Sequence, residues 1–152
     1  MTSMFFMFYI YCEVKDDELV SEKNSNEFME DCAKDFLQQI KNNVWITVQN
    51  EDINVKLGIQ SSLTREDEVF ITCNIEDIKL DIQDENIQYD ISEALYNELE
   101  KELFNPFKNY LYKHFGTHNT YVGYGILDRE VAEININGKK SVILDSNLYN
   151  HS

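Results

Sequence analysis

Carboxylates are the chemistry-bearing residues of this chain, and they are concentrated. Between Glu76 and Glu102 stand ten of them, Glu76, Asp77, Asp81, Asp84, Glu85, Asp90, Glu93, Glu98, Glu100 and Glu102, against only Lys79 and Lys101, a local charge of −8 in 27 residues. Carboxylates at this density can hold a hard cation, serve acid–base hydrolysis or attract a cationic surface. For a cation, Asp81, Asp84, Glu85 and Asp90 form the best set. Their spacing does not follow the calcium-loop pattern D-x-[DN]-x-[DN]-G, and the glycine that loop needs for its turn is missing. Glycoside hydrolysis needs two carboxylates facing across a cleft, which spacing alone does not supply.

The other reactive side chains point to less. No G-x-S-x-G elbow exposes a nucleophile. The three histidines are His114, His118 and His151. His114 and His118 stand at i, i+4, but Gly116 is a helix stop between them and denies the pair a common face. Cys12, Cys32 and Cys73 are far apart, form no C-x-x-C, and fall on predicted apolar faces, as reduced core thiols do. There is no G-x-x-x-x-G-K-[ST], and Gly123-Tyr124-Gly125 is a lone G-x-G, better explained by a strand bend. These patterns give no catalytic residues, no metal ligands and no cofactor, and the chain reads as a non-enzyme.

The remaining chemistry is electrostatic. With 28 acidic and 13 basic residues the net charge is −15. Like charge repels nucleic acid and anionic membrane, so neither is a direct partner. Duplex DNA carries one charge per about 1.7 Å of its axis. Carboxylates on one strand face at i, i+2 are roughly 7 Å apart, and at i, i+4 on a helix about 6 Å. A strand over 78–82 would put Asp77, Lys79, Asp81 and Gln83 on one face, and Glu98 and Glu102 would be i, i+4 neighbours on a helix. Such like-charge neighbours cost stability.

The elements that must carry these residues can be read in order. Met4 to Cys12 is a nine-residue apolar run without basic flank or cleavage site. It is too short to span a bilayer as a helix and reads as a central strand buried on both faces. Residues 15–24 form a polar loop. Phe28, Met29, Cys32, Ala33, Phe36, Leu37 and Ile40 define an amphipathic helix over 25–42, capped by Asn24 or Ser25. Period two then takes over. Val44–Val48, Ile53–Ile59, Val69–Ile75 and Ile78–Ile82 read as strands, with a turn at Asn50-Glu51-Asp52, a polar link over 61–67, and Ile87, Tyr89 and Ile91 extending the sheet. A helix opens at Asp90 or Ser92 and breaks at Pro106 into a second piece ending at Gly116. Tyr121–Leu127 is a strand, and Asn137-Gly138 marks a hairpin. Residues 146–152 fray. The sum is α+β in a single domain, 1–152: a mostly antiparallel sheet, meander plus C-terminal hairpin, against one long amphipathic helix and one broken helix.

Residues 103–127 contain no acid and are rich in aromatics. They are the candidate face for a homodimer or a larger assembly. The functional expectation is an acidic binding protein that occupies the basic surface of a nucleic-acid-binding protein. A nuclease or CRISPR effector would be the partner, as for phage anti-restriction and anti-CRISPR proteins, and a toxin-immunity protein is the close cousin. That comparison is one of charge alone. The partner-binding candidates are Glu76, Asp77, Asp81, Asp84, Glu85, Asp90, Glu93, Glu98 and Glu102, and the compartment expected is the cytoplasm. The alternatives are an assembly protein acting through 103–127 and a divalent-metal carboxylate enzyme.

Overall fold

A run of Phe, Tyr, Met and Ile favours an extended chain whose two faces can both be covered, and that run is the middle of β1 (Thr2–Val14). The computed structural model describes residues 2–15, 26–61, 67–126, 133–136 and 139–142. The loop expected over 15–24 apart from Lys15, the caps Asn24 and Ser25, most of the 61–67 link, the turn Asn137-Gly138 and the tail 146–152 lie outside the described residues.

Every described strand pair is antiparallel. One edge of β1 pairs with β4 (Glu68–Glu76), from Ser3 opposite Glu76 to Tyr11 opposite Glu68. Its other edge is shared end to end. β6 (Glu133–Ile136) takes Thr2–Phe5 and β5 (Thr120–Ile126) takes Phe8–Val14. β3 (Glu51–Ser61) and β2 (Asn43–Val48) continue the sheet beyond β4, and β7 (Lys139–Val142) continues it beyond β6. The order is therefore β2-β3-β4-β1-β6-β7, with β5 beside β1. β6 and β7 pair with Ile136 opposite Lys139.

Even-numbered residues of β1, from Met4 to Cys12, are buried on the face that receives the helices. On the odd face Met7 is buried while Phe5, Tyr9 and Tyr11 are half-buried, so burial on both faces holds fully for one and partly for the other. α1 (Asn26–Gln39) packs through Phe36, stacked on Phe107 at 5.3 Å, and Phe28, edge-on to Phe115 at 5.7 Å. It stops earlier than the expected 42 because Lys41 and Asn42 both take φ of 56°. Their amides return to Gln38 and Leu37, closing the helix end.

Three expectations are corrected. Residues 78–82 are not a strand. Asp77 takes a φ of 57° and turns the chain out of the sheet. Ile78 and Ile82 still reach the core while Lys79, Asp81 and Gln83 are exposed, so alternating burial survives without strand pairing. Ile87 and Ile91 do not extend the sheet. They are i, i+4 partners on the buried face of α2 (Glu85–Leu99), which starts five residues or more before the expected Asp90 or Ser92. The break at Pro106 is instead a change of hydrogen-bond register. α2 runs through a π-helix (Glu100–Phe104) into α3 (Asn105–Phe115), and Asn105 N–H donates to Glu100 C=O. Proline has no amide hydrogen and its ring crowds the carbonyl four residues back, so widening one turn accommodates it without ending the rod. A smaller shift concerns the β2–β3 turn. Gln49 (φ 50°) and Asn50 (φ 65°) form it, both left-handed as a two-residue hairpin of the primed type requires.

Phe8 links this rod to the sheet, its ring 6.1 Å from Tyr96 and 5.8 Å from Phe104, and Phe104 stacks on Tyr124 at 4.9 Å. On the opposite face Tyr11 lies over Gly123, its β5 partner, where an added Cβ would come within 2.5 Å of the ring. Gly123→Ala therefore lowers stability by about 1–3 kcal/mol. The cost drops below about 1 kcal/mol in a Tyr11→Ala background, a coupling read by urea denaturation of the single and double variants.

Candidate functional site

Strand register brings together acids that are distant in sequence. Val55 pairs with Ile75, so the start of β3 and the end of β4 lie side by side. Glu51 and Asp52 thereby join Glu76 and Asp77 around a cleft of about 250 Å³, which Lys56 and Lys79 also line. All four carboxylates are exposed. Neither lysine makes an ion pair among the described residues, although both border the cleft. Asn54 sits in the wall, and its Oδ1 is buried with no hydrogen-bond partner among the described residues. Glu51 and Asp52 were read from the sequence as turn residues only. The available signal was the register implied by the two alternating runs on either side of them.

Asp81, Asp84 and Glu85 have local structural work. Asp81 Oδ1 accepts from the Gln83 amide at 3.1 Å, and Asp84 Oδ1 accepts from the Asn86 amide at 2.8 Å, capping α2. Glu85 occupies the first helical turn, where the helix dipole favours negative charge. These three acids are exposed, but folding alone accounts for them.

Asp90 and Glu93 stand on the outer face of α2 beside the end of β2, flanking a groove of about 310 Å³. No cation reaches either among the described residues. Glu98 and Glu102 share Lys101, at 4.0 and 3.5 Å, and the π turn removes them from regular i, i+4 geometry. The structure thus divides the nine expected residues into Glu76 and Asp77 at the cleft, Asp90 and Glu93 at the groove, Glu98 and Glu102 around a lysine, and three capping or helix-start acids. The single strand-borne row of charges is absent.

Glu100, in the π-helix, accepts a hydrogen bond at 2.8 Å from the Tyr124 hydroxyl, which also lies 3.3 Å from Asn105 Oδ1. Lys108 lies over the Tyr112 and Tyr124 rings, at 5.7 and 5.8 Å. Burial, with the bond to Glu100 adding to it, pushes the Tyr124 hydroxyl from 10.0 up to about 12. This polar knot fixes the rod to β5 and was not legible as a pair in the sequence.

The remaining reactive groups are placed as structural ones. Burial raises all three thiols, Cys12 to about 12, and Cys32 and Cys73 as well. His114 packs among Phe28, Tyr110 and Phe115, and α3 ends at Phe115, so His118 lies beyond it. Among the described residues no group of three or more His, Cys, Asp or Glu is placed to hold a metal ion. Most aromatics of 103–127 belong to the core: Phe104, Phe107, Phe115 and Tyr124 are buried, leaving Tyr110 exposed and Tyr112 and Tyr121 half-exposed. No described helix is long and apolar enough to cross a membrane. Comparison with protein-family models, with curated proteins and with solved structures finds no match.

Tyr124 gives stability a pH dependence of defined sign. Above pH 10.0 the unfolded tyrosine loses its proton while the folded one keeps it until about 12, so the folded state binds more protons and stability falls as pH rises across that window. Urea midpoints measured from pH 8.5 upward should decline, and Tyr124→Phe should flatten the part of the decline above pH 10.0.

Proposed function

We propose that this chain is a non-enzymatic acidic binding protein whose carboxylates occupy the basic surface of a nucleic-acid-binding protein, with a nuclease or CRISPR effector as the concrete form of partner. The observation that supports this reading is the convergence of Glu51, Asp52, Glu76 and Asp77 from two strands on one cleft, exposed and without ion pairs among the described residues. Asp52 accepts a hydrogen bond from the Thr47 hydroxyl, but no described contact holds Glu51, Glu76 or Asp77, and like charges gathered in one place repel one another. A cationic partner converts that repulsion into attraction and accelerates encounter.

The mimicry is of charge density rather than of a strand-spaced phosphate row, because residues 77–84 leave the sheet. Inhibition follows by competition: the partner surface that takes these carboxylates is the one that would take phosphates.

The test uses immobilised protein and a panel of purified nucleases and CRISPR effectors, with duplex DNA as competitor. Binding should weaken steeply with salt, as multi-contact electrostatic association does, and DNA should displace the partner. The variant Glu51→Lys, Glu76→Lys, Asp77→Asn should bind at least about tenfold more weakly while its circular dichroism is unchanged. Asn replaces Asp77 because it tolerates the left-handed backbone there. Binding that survives both the triple variant and DNA competition contradicts the reading.

A further inference from the structure

β2 ends the sheet on one side, as β7 ends it on the other. Leu57 N–H donates to Asn42 C=O at 2.8 Å, and in an antiparallel pair the hydrogen-bonded positions recur every second residue. Val44, Ile46 and Val48 therefore bond to β3, and the amides and carbonyls of Trp45 and Thr47 point away from it. Among the described residues no strand pairs with them. Proteins usually blunt such an edge with lysine, proline or a bulge. The sequence here, NVWITV, has neither charge nor proline.

The surroundings of the edge specify what can dock on it. On one side lies the groove between the end of β2 and α2, where Asp90 and Glu93 stand over the small Ala94. On the other side Trp45 is 58% exposed, and Thr47 holds Asp52 through a 2.8 Å hydrogen bond. A second copy of this chain would bring two sets of these acids together at a net charge of −15 each, which like-charge repulsion opposes. A cationic strand meets complementary charge at Asp90 and Glu93 on one side and at Asp52 on the other, where Lys56 lies farther along, opposite Asn43.

We infer that β2 accepts an extended lysine- or arginine-bearing segment of a partner protein as an added strand. Its backbone bonds to Trp45 and Thr47. Side chains at alternate positions, roughly 7 Å apart, enter the groove toward Asp90 and Glu93. On the opposite face a basic residue lies over the Trp45 indole. The inference rests on the reading that the partner surface is cationic, and it adds the binding mode.

Trp45 is the sole tryptophan of the chain, so intrinsic tryptophan fluorescence reports this edge alone. The probe is a seven-residue peptide alternating lysine with valine and threonine, compared with the same peptide N-methylated at every internal amide, which keeps the charge and removes the donors. The parent peptide should shift Trp45 emission. N-methylation, or the variant Asp90→Asn with Glu93→Gln, should each weaken binding at least about tenfold. Equal binding of the two peptides, or saturation without any change in emission, overturns the inference. An emission shift that grows with protein concentration in the absence of peptide also overturns it, because a second copy then occupies the edge. If peptide binding depends on Glu51, Glu76 and Asp77 but not on Asp90 and Glu93, the edge mode fails while the wider electrostatic reading stands. Thr47→Pro, which removes one outward amide at a position an edge tolerates, should reproduce the loss seen with the methylated peptide.

Discussion

The structure depends on β1 being paired along both edges. β4 covers one edge for nine residues, and β5 and β6 divide the other between them. An apolar strand of this length, placed at an edge, would be an aggregation site. Placed centrally, its even-numbered side chains become the floor on which the α2–π–α3 rod rests, while α1 lies over β3 and β4. Phe8 is the joint, touching Tyr96 from α2 and Phe104 from the π-helix. The sheet then grows outward from β1 through β4 and β3, and β2 ends it on that side.

That placement governs where the charge goes. Antiparallel growth on the β4 side aligns the start of β3 with the end of β4, so the acids that terminate those strands gather at one end of the sheet. The rod crosses near β2 and sets Asp90 and Glu93 beside its open edge. Other acids are used within the fold: Asp81 and Asp84 hold backbone amides, Glu100 holds Tyr124, and Glu98 and Glu102 share Lys101. Unspent charge is therefore narrower than composition implies. At the sheet end and the β2–α2 groove it lies at Glu51, Glu76, Asp77, Asp90 and Glu93, with Asp52 held by the Thr47 hydroxyl, and α1 adds the exposed Glu27, Asp31 and Asp35.

Much of the fold was legible because burial leaves a period in the sequence. The first strand, the alternating meander, the amphipathic α1 and the helix stop at Gly116 follow from spacing alone. Two misreadings share one cause: period two and period 3.6 overlap over short windows. Ile87, Tyr89 and Ile91 fit a strand by twos, but Ile87, Ile91 and Leu95 fit a helix by fours, and exposed Tyr89 shows which wins. Ile78, Leu80 and Ile82 alternate in burial without any strand partner, because side-chain direction does not reveal where backbone hydrogen bonds go. Pro106 signalled a break, yet the chain absorbed it by lengthening one turn, a choice set by the packing of Leu103, Phe104 and Phe107 in the core. Of the candidate site, Glu76, Asp77, Asp90 and Glu93 were legible as charge. The grouping of Glu76 and Asp77 with Glu51 and Asp52 was not, because it depends on inter-strand register.

The most direct measurement is a residue-resolved NMR titration with an octalysine peptide at low and high salt. Perturbations should centre on the sheet end and the β2–α2 groove, at Glu51, Asp52, Glu76, Asp77, Asp90 and Glu93, and should vanish as salt rises. Perturbations spread evenly over every exposed acid, including Asp81, Asp84 and Glu85, or unchanged by salt, would contradict the electrostatic reading.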